Sequence, residues 1–206
     1  MLNREQHQKN LVSSERVAVS VVGISTAVPK HKVTQEQVAD RANILFPQYA
    51  RLEGLHSNSG IETRYACKPR DWYLEPRTWE ERTDVFQEHA LELLEDVARR
   101  SVKQAGLELA DIDVIVTNTV TGLAIPSLDA RLMNRMAFRS DVERVPIFGI
   151  GCGGGVAGLS RAAKLAKAEP GQTVLFLTVD LCSLCLRTTL DFVTIEIVDG
   201  DVQATL

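Results

Sequence analysis

Three short apolar runs rich in β-branched residues dominate the middle of the chain: DVIVTNTV at 113–120, VPIFGI at 145–150 and TVLFLTVD at 173–180. They are continuous rather than alternating, so strands built from them need cover on both faces, as in the interior of a parallel sheet. Helical periodicity fills the gaps. Ser127 is placed to cap a short helix reaching Met136, and a helix over 153–167 puts Val156, Leu159, Ala163 and Ala166 on one face. Upstream, Phe86, Ala90, Leu93, Leu94, Val97 and Ala105 recur with the same period over 83–106, and Gly106 is a natural stop. Strands alternating with helices predict an α/β fold whose sheet is mixed, mainly parallel and covered by helices on both faces.

The flanks are less regular. VAVSVVGI (17–24) reads as a buried strand, Thr34 opens a helix with Gln37 completing a capping box, and IETRYAC (61–67) reads as a further strand. KPRDWYLEPRTWEERTD, next along the chain, is expected to be an ordered loop. Residues 1–16 are expected to be flexible and 17–206 to form one domain, with TTLDFVTIEIVDGDVQATL offering one more strand-like stretch and no closing element.

Charge narrows the partners. Lys and Arg number 23 against 27 Asp and Glu, so the net charge of -4 attracts neither nucleic acid nor an anionic membrane. Small molecules or other proteins are the expected partners. No apolar run is long enough for a membrane span and the first residues lack a secretory pattern, so cytoplasmic residence is expected. The four cysteines, Cys67, Cys152, Cys182 and Cys185, are too few for a disulfide scaffold and read as reduced thiols.

FGIGCGGG (148–155) carries the chemistry, and it supports more than one reading. Gly149, Gly151 and Gly154 satisfy G-x-G-x-x-G between a strand and a helix, with Asp180 at the end of the next strand as a ribose-binding acid. Asp180 lies farther along than the usual spacing of about 20 residues, and the unit comes late in the chain. Alternatively, Cys152 sits in the first turn of a helix, where free N–H groups and the helix dipole stabilise thiolates; such sites lower a cysteine pKa to about 3.5–7.5. A small buried apolar side chain is the third reading of Cys152. Cys182 and Cys185 spell C-x-x-C, but no second ligand pair accompanies them, so buried or pocket thiols are expected and no metal site.

GIGCGGGVAGLSRAAKLAKA resembles the active-site segment of type III polyketide synthases, the chalcone synthase-like enzymes. VVGISTAVP, RYACKPRDWYLEPRTWEERTDVFQEHALEL, VTNTVTGLAIPSLDARLMNRM and LFLTVDLCSLCLR extend the likeness in order over about residues 17–187. The bacterial branch making alkylpyrones and alkylresorcinols looks most similar. The resemblance implies the N-terminal half of a thiolase-like fold and acyl transfer from acyl-CoA to Cys152, followed by decarboxylative condensation with malonyl-CoA. These are substrates, with no permanently bound cofactor implied. It further implies substrate-binding roles for Thr121, Ile125 and Cys185. Ile125 matches the residue that family dimers insert into the neighbouring subunit, so a homodimer is implied. Arg51 matches a basic position that meets coenzyme A phosphates, although Gly54 and Asn58 stand where further basic residues are expected.

The family's histidine and asparagine, which complete its site, belong to a second half that this chain is expected to lack. His7, His31, His56 and His89 match neither position, and Ile197 stands where the family has a gatekeeping phenylalanine if Asp199 and Gly200 align with its GDG turn. A separately encoded C-terminal half is one partner this implies. The alternatives are a β-ketoacyl-carrier-protein synthase III-like enzyme of the same fold, a catalytically incomplete subunit, and the dinucleotide module.

Overall fold

A computed structural model describes residues 18–45, 58–186, 194–198 and 201–205, the last two segments by backbone alone. The chain divides into two compact units, one of Met1–Val28 and Thr83–Asp180, the other of Pro29–Arg82 and Leu181–Leu206. The expected flexible segment, 1–16, lies outside the described residues.

The first unit is organised around β3. In chain order the helices and strands of the whole chain are β1 His31–Thr34, α1 Gln35–Leu45, β2 Thr63–Ala66, α2 Trp79–Gln104, β3 Val114–Thr119 and α3 Leu128–Met133. They continue with β4 Glu143–Phe148, α4 Gly154–Ala168, β5 Val174–Thr178, β6 Thr194–Val198 and β7 Asp201–Thr205. β3 lies between β4 and β5 and pairs parallel with both, as the three apolar runs predict. All six β3 residues are buried. Val114 and Val116 point towards α4, where they form a buried cluster with Ala162 that Leu165 and Phe176 flank. Thr117, with the opposite parity, donates its hydroxyl to Asp129 of α3 at 3.0 Å. Helices therefore cover both faces of the strand. Pro146 is tolerated because β4 has a free edge among the described strands.

Carboxylates fasten this layer. Asp129 is fully buried, and its second oxygen accepts from Arg144 Nη1 of β4 at 3.2 Å, so one side chain ties α3 to two strands. At the start of the sheet, Asp113 accepts from the Thr173 N–H at 2.7 Å and from Arg139 Nη1 at 3.1 Å.

α2 starts at Trp79, earlier than the apolar period indicates. Thr78 and Glu81 form a reciprocal cap there: the Thr78 N–H donates to Glu81 Oε2 at 2.8 Å and the Glu81 N–H to Thr78 Oγ1 at 3.1 Å. This T-x-x-E signal lies inside the segment expected to be a loop. Phe86, Ala90 and Leu94 are buried as expected, joined by Leu91, Ala98 and Val102. Gly106 adopts a φ of 71°, the left-handed conformation that terminates the helix.

Two expectations need correction. Residues 18–29 form no strand, and among the described residues no neighbouring ladder satisfies their backbone. Side chains of α2 serve instead, with the Ile24 N–H donating to Gln104 Oε1 at 3.0 Å and Arg100 Nη2 donating to the Thr26 carbonyl at 2.7 Å. On α4 the buried residues are Gly154, Gly158 and Ala162, whereas Val156 is 79% and Leu159 51% exposed. The helix meets the sheet through its smallest side chains, and a Cβ on Gly158 would lie 2.4 Å from the Phe176 ring.

In the second unit β1 and β2 pair antiparallel, and Thr34 caps α1 as predicted, with reciprocal bonds to Gln37 at 3.1 and 3.2 Å. Arg70–Leu74 is a 3-10 turn within the expected loop. β6 and β7 pair antiparallel, placing Ile197 opposite Val202, while Asp199 and Gly200 lie outside the described residues. Cys67, at the end of β2, is buried, and burial pushes its thiol up to about 11.

Two predictions follow from these buried groups. Arg144→Met strands a buried carboxylate and should cost about 3–5 kcal/mol in denaturant unfolding. Asp129→Asn keeps an acceptor for Thr117 and should cost less, about 1–3 kcal/mol. Because the Cys67 pKa is raised, the neutral thiol favours the folded state: this stability is complete below the ordinary value of 9.0 and is lost as pH rises through about 11. The denaturation midpoint should thus fall over that window, and fall less steeply in Cys67→Ala.

Candidate active site

The parallel strands deliver three connections to one edge of the first unit. Thr121 and Ile125 follow the carboxyl end of β3, Cys152 follows that of β4 and Asp180 follows that of β5. Ligand-binding residues of open α/β sheets characteristically gather at this edge.

The Cys152 turn is shaped by glycines. Gly149 has a φ of 83° and Gly151 of 66°, both in the left-handed region that side chains resist. Gly151–Gly153 then forms a 3-10 turn carrying Cys152, which runs directly into α4. The Gly154 N–H donates to the Gly151 carbonyl and closes the turn. Gly154 is required for a different reason: a Cβ there would lie 2.4 Å from Asn118 Oδ1. The G-x-G-x-x-G pattern is thus accounted for by two left-handed residues and one close approach of helix to strand. Cys152 is exposed, which corrects the reading of it as a small buried apolar side chain. It stands on a turn that leads into a fifteen-residue helix.

The 120–126 connection is held at successive points. Asp180 Oδ1 accepts from the Val120 N–H at 2.9 Å and from the hydroxyls of Thr119 and Thr121, each at 3.4 Å. A Cβ on Gly122 would lie 2.3 Å from the Phe86 ring, so the loop rests directly on α2. Gln87 Nε2 donates to the Leu123 carbonyl at 3.1 Å, and Arg131 donates to the carbonyls of Ile125 at 3.1 Å and Pro126 at 2.9 Å. Its backbone so anchored, Ile125 projects its side chain with 90% exposure, and Thr121 is half-buried. Asp180, the acid the dinucleotide reading needs for ribose, is instead committed to this loop.

Cys185 belongs to the second unit, on the 3-10 turn Cys182–Cys185. Arg82 Nη1 donates to the carbonyls of Leu184, at 2.8 Å, and of Leu186, and Tyr73 Oη pairs with Ser183 Oγ at 3.1 Å. Burial raises the Tyr73 pKa above its ordinary value. All four cysteines are free thiols, and among the described residues no group of three His, Cys, Asp or Glu could hold a metal ion. Arg51 lies outside the described residues. Sequence reading missed Asn118, Asp129 and the loop-holding role of Asp180; a polar residue interrupting an apolar run, as in VTNTV, was the available signal.

Comparison with known proteins agrees with this geometry. The family described as chalcone and stilbene synthases, N-terminal domain, matches residues 5–201. A 1,3,6,8-tetrahydroxynaphthalene synthase of Streptomyces peucetius subsp. caesius is 39% identical over 172 residues, covering 82% of this chain and 46% of the relative. A putative chalcone synthase of Bacillus subtilis is 34% identical over 176 residues, covering 81% of this chain and 48% of that one. The crystal structure of 1,3,6,8-tetrahydroxynaphthalene synthase from Streptomyces coelicolor A3(2), a bacterial type III polyketide synthase, superposes with a TM-score of 0.79 at 33% identity. That superposition covers 83% of this chain and 50% of the other. The chain spans about half the length of the curated relatives it matches. From residue pattern, fold and comparison alike, the chain belongs to the chalcone and stilbene synthases, matching their N-terminal domain, and has the thiolase-like α/β fold of the type III polyketide synthases.

Proposed function

We propose that this chain is the nucleophile-bearing N-terminal portion of a type III polyketide synthase, an acyltransferase that loads an acyl group from acyl-CoA onto Cys152. The observation carrying this reading is the exposed thiol on a glycine-built turn at the start of α4. The Cys152 thiolate attacks the thioester carbonyl, a new carbon–sulfur bond forms, and the bond to the coenzyme A sulfur breaks. Coenzyme A leaves as a thiolate of comparable stability and takes up a proton from solvent. Decarboxylative condensation with malonyl-CoA then extends the chain, using the histidine and asparagine that the family carries in its C-terminal half. That half, separately encoded or continuous with this chain, is the complementary partner.

Thr121, Ile125 and Cys185 contact the acyl chain, and Arg51 meets the coenzyme A phosphates. Support comes from the family positions, and for Thr121 and Ile125 from the anchored loop that carries them. The enzyme is a cytoplasmic homodimer with no permanently bound cofactor. Support for the dimer comes from the family position that Ile125 matches, and its 90% exposure leaves the side chain free to take that role. Among the described residues, no helix is long and apolar enough to cross a membrane.

Intact-mass spectrometry after incubation with a long-chain acyl-CoA should show one acyl adduct, absent from Cys152→Ala. An unchanged mass would leave the catalytically incomplete reading in its place. By light scattering the chain should be dimeric, with Ile125→Glu shifted to monomer; a dimer indifferent to that change removes Ile125 from the interface.

A further inference from the structure

The nucleophile's turn has no side-chain hydrogen bond of its own at the start of α4. What fixes its height above the sheet is therefore the first residue of the helix. Gly154 is buried, and its N–H closes the Cys152 turn on the Gly151 carbonyl. Beneath it lies Asn118, the penultimate residue of β3, which is 2% exposed and shares the parity of Val114 and Val116 on the face towards α4.

The Asn118 amide is itself held. Its Nδ2 donates to Thr178 Oγ1 of β5 at 3.1 Å, which ties the amide to the neighbouring strand. A Cβ built on Gly154 would stand 2.4 Å from Asn118 Oδ1, 2.5 Å from Nδ2 and 2.8 Å from Cγ. Helix and amide thus meet across a gap with no room for one carbon. A leucine in place of Asn118 would fill a similar volume, yet it could not be tethered to Thr178 by a hydrogen bond.

We propose that Asn118 is a positioning residue for Cys152: tethered to Thr178, its amide is the seat on which Gly154 rests, and this seat sets where the thiol is presented. The proposal rests on the reading of Cys152 as the acyl acceptor. Displacing a reacting atom by about 1 Å can cost about 100-fold in rate, so a seat of this kind acts on the acyl-transfer step rather than on coenzyme A binding.

A double-mutant cycle on the full chain tests it, with the rate of acyl loading followed by mass spectrometry across a range of acyl-CoA concentrations. Asn118→Ala empties the seat and Gly154→Ala overfills it, and each should lower the maximal loading rate about 10- to 100-fold with the half-saturating concentration unchanged. The double variant places the added methyl where the amide was and should recover at least about tenfold over Gly154→Ala. Asn118→Asp, which keeps the shape of the side chain and can accept from the Thr178 hydroxyl, should fall between wild type and Asn118→Ala, and it serves if Asn118→Ala does not fold. Losses that simply multiply in the double variant would overturn the proposal, as would a loading rate indifferent to Asn118. Iodoacetamide labelling of Cys152 needs no acyl-CoA and should rank the variants in the same order. A wild-type thiol that alkylates yet never accepts an acyl group defeats the acyl-acceptor reading, while the labelling order still decides the role of Asn118.

Discussion

Burial of β3 on both faces is the constraint from which the rest of the first unit follows. A strand with no exposed residue must find a partner for each polar side chain it carries, and β3 carries Thr117, Asn118 and Thr119. Thr117 meets Asp129, Asn118 meets Thr178 and the start of α4, and Thr119 meets Asp180. Each of these partners belongs to an element that flanks or leads into the candidate site. These hydrogen bonds fix α3 and the 120–126 connection relative to one sheet, and the close approach of Gly154 to Asn118 does the same for α4.

The glycine pattern acquires a different meaning in that setting. In dinucleotide-binding turns, successive glycines permit a tight turn, close approach of the backbone to pyrophosphate, and helix–strand packing. Here Gly149 and Gly151 supply left-handed backbone, and Gly154 supplies helix–strand packing against Asn118. The spacing reports how a strand turns sharply into a helix. What the turn presents, a thiol or an array of N–H groups for phosphate, is decided by the residue between the glycines and by what lies around it. Asp180, the acid that the nucleotide reading assigns to ribose, already holds the neighbouring loop through Oδ1.

Much of the fold was legible because the signals were local. The three apolar runs became the three parallel strands, and Thr34 with Gln37 capped α1. Thr78 with Glu81 carried the same signal, overlooked because charged and aromatic residues around it suggested a loop. Other errors arose where packing overrode pattern. Residues 17–24 have strand composition, but composition cannot supply a neighbouring strand. The large apolar residues of α4 mark one face, whereas close contact with β3 and β5 selected the side lined by Gly154 and Gly158. The candidate site was legible only in part: Cys152 stands out by its glycines, while Thr121, Ile125 and Cys185 carry no local mark and are proposed from family resemblance. Asn118 interrupts an apolar run, and its meaning depends on a contact with Gly154, far along the chain.

The central claim is that this turn exists to present Cys152 to a thioester. The most direct measurement is competition at the thiol itself: alkylation of each of the four cysteines by iodoacetamide, mapped by peptide mass spectrometry with and without a long-chain acyl-CoA. The account predicts that acyl-CoA protects Cys152 in a saturable manner while buried Cys67 stays unlabelled throughout. Alkylation of Cys152 at the same rate with and without acyl-CoA would contradict it.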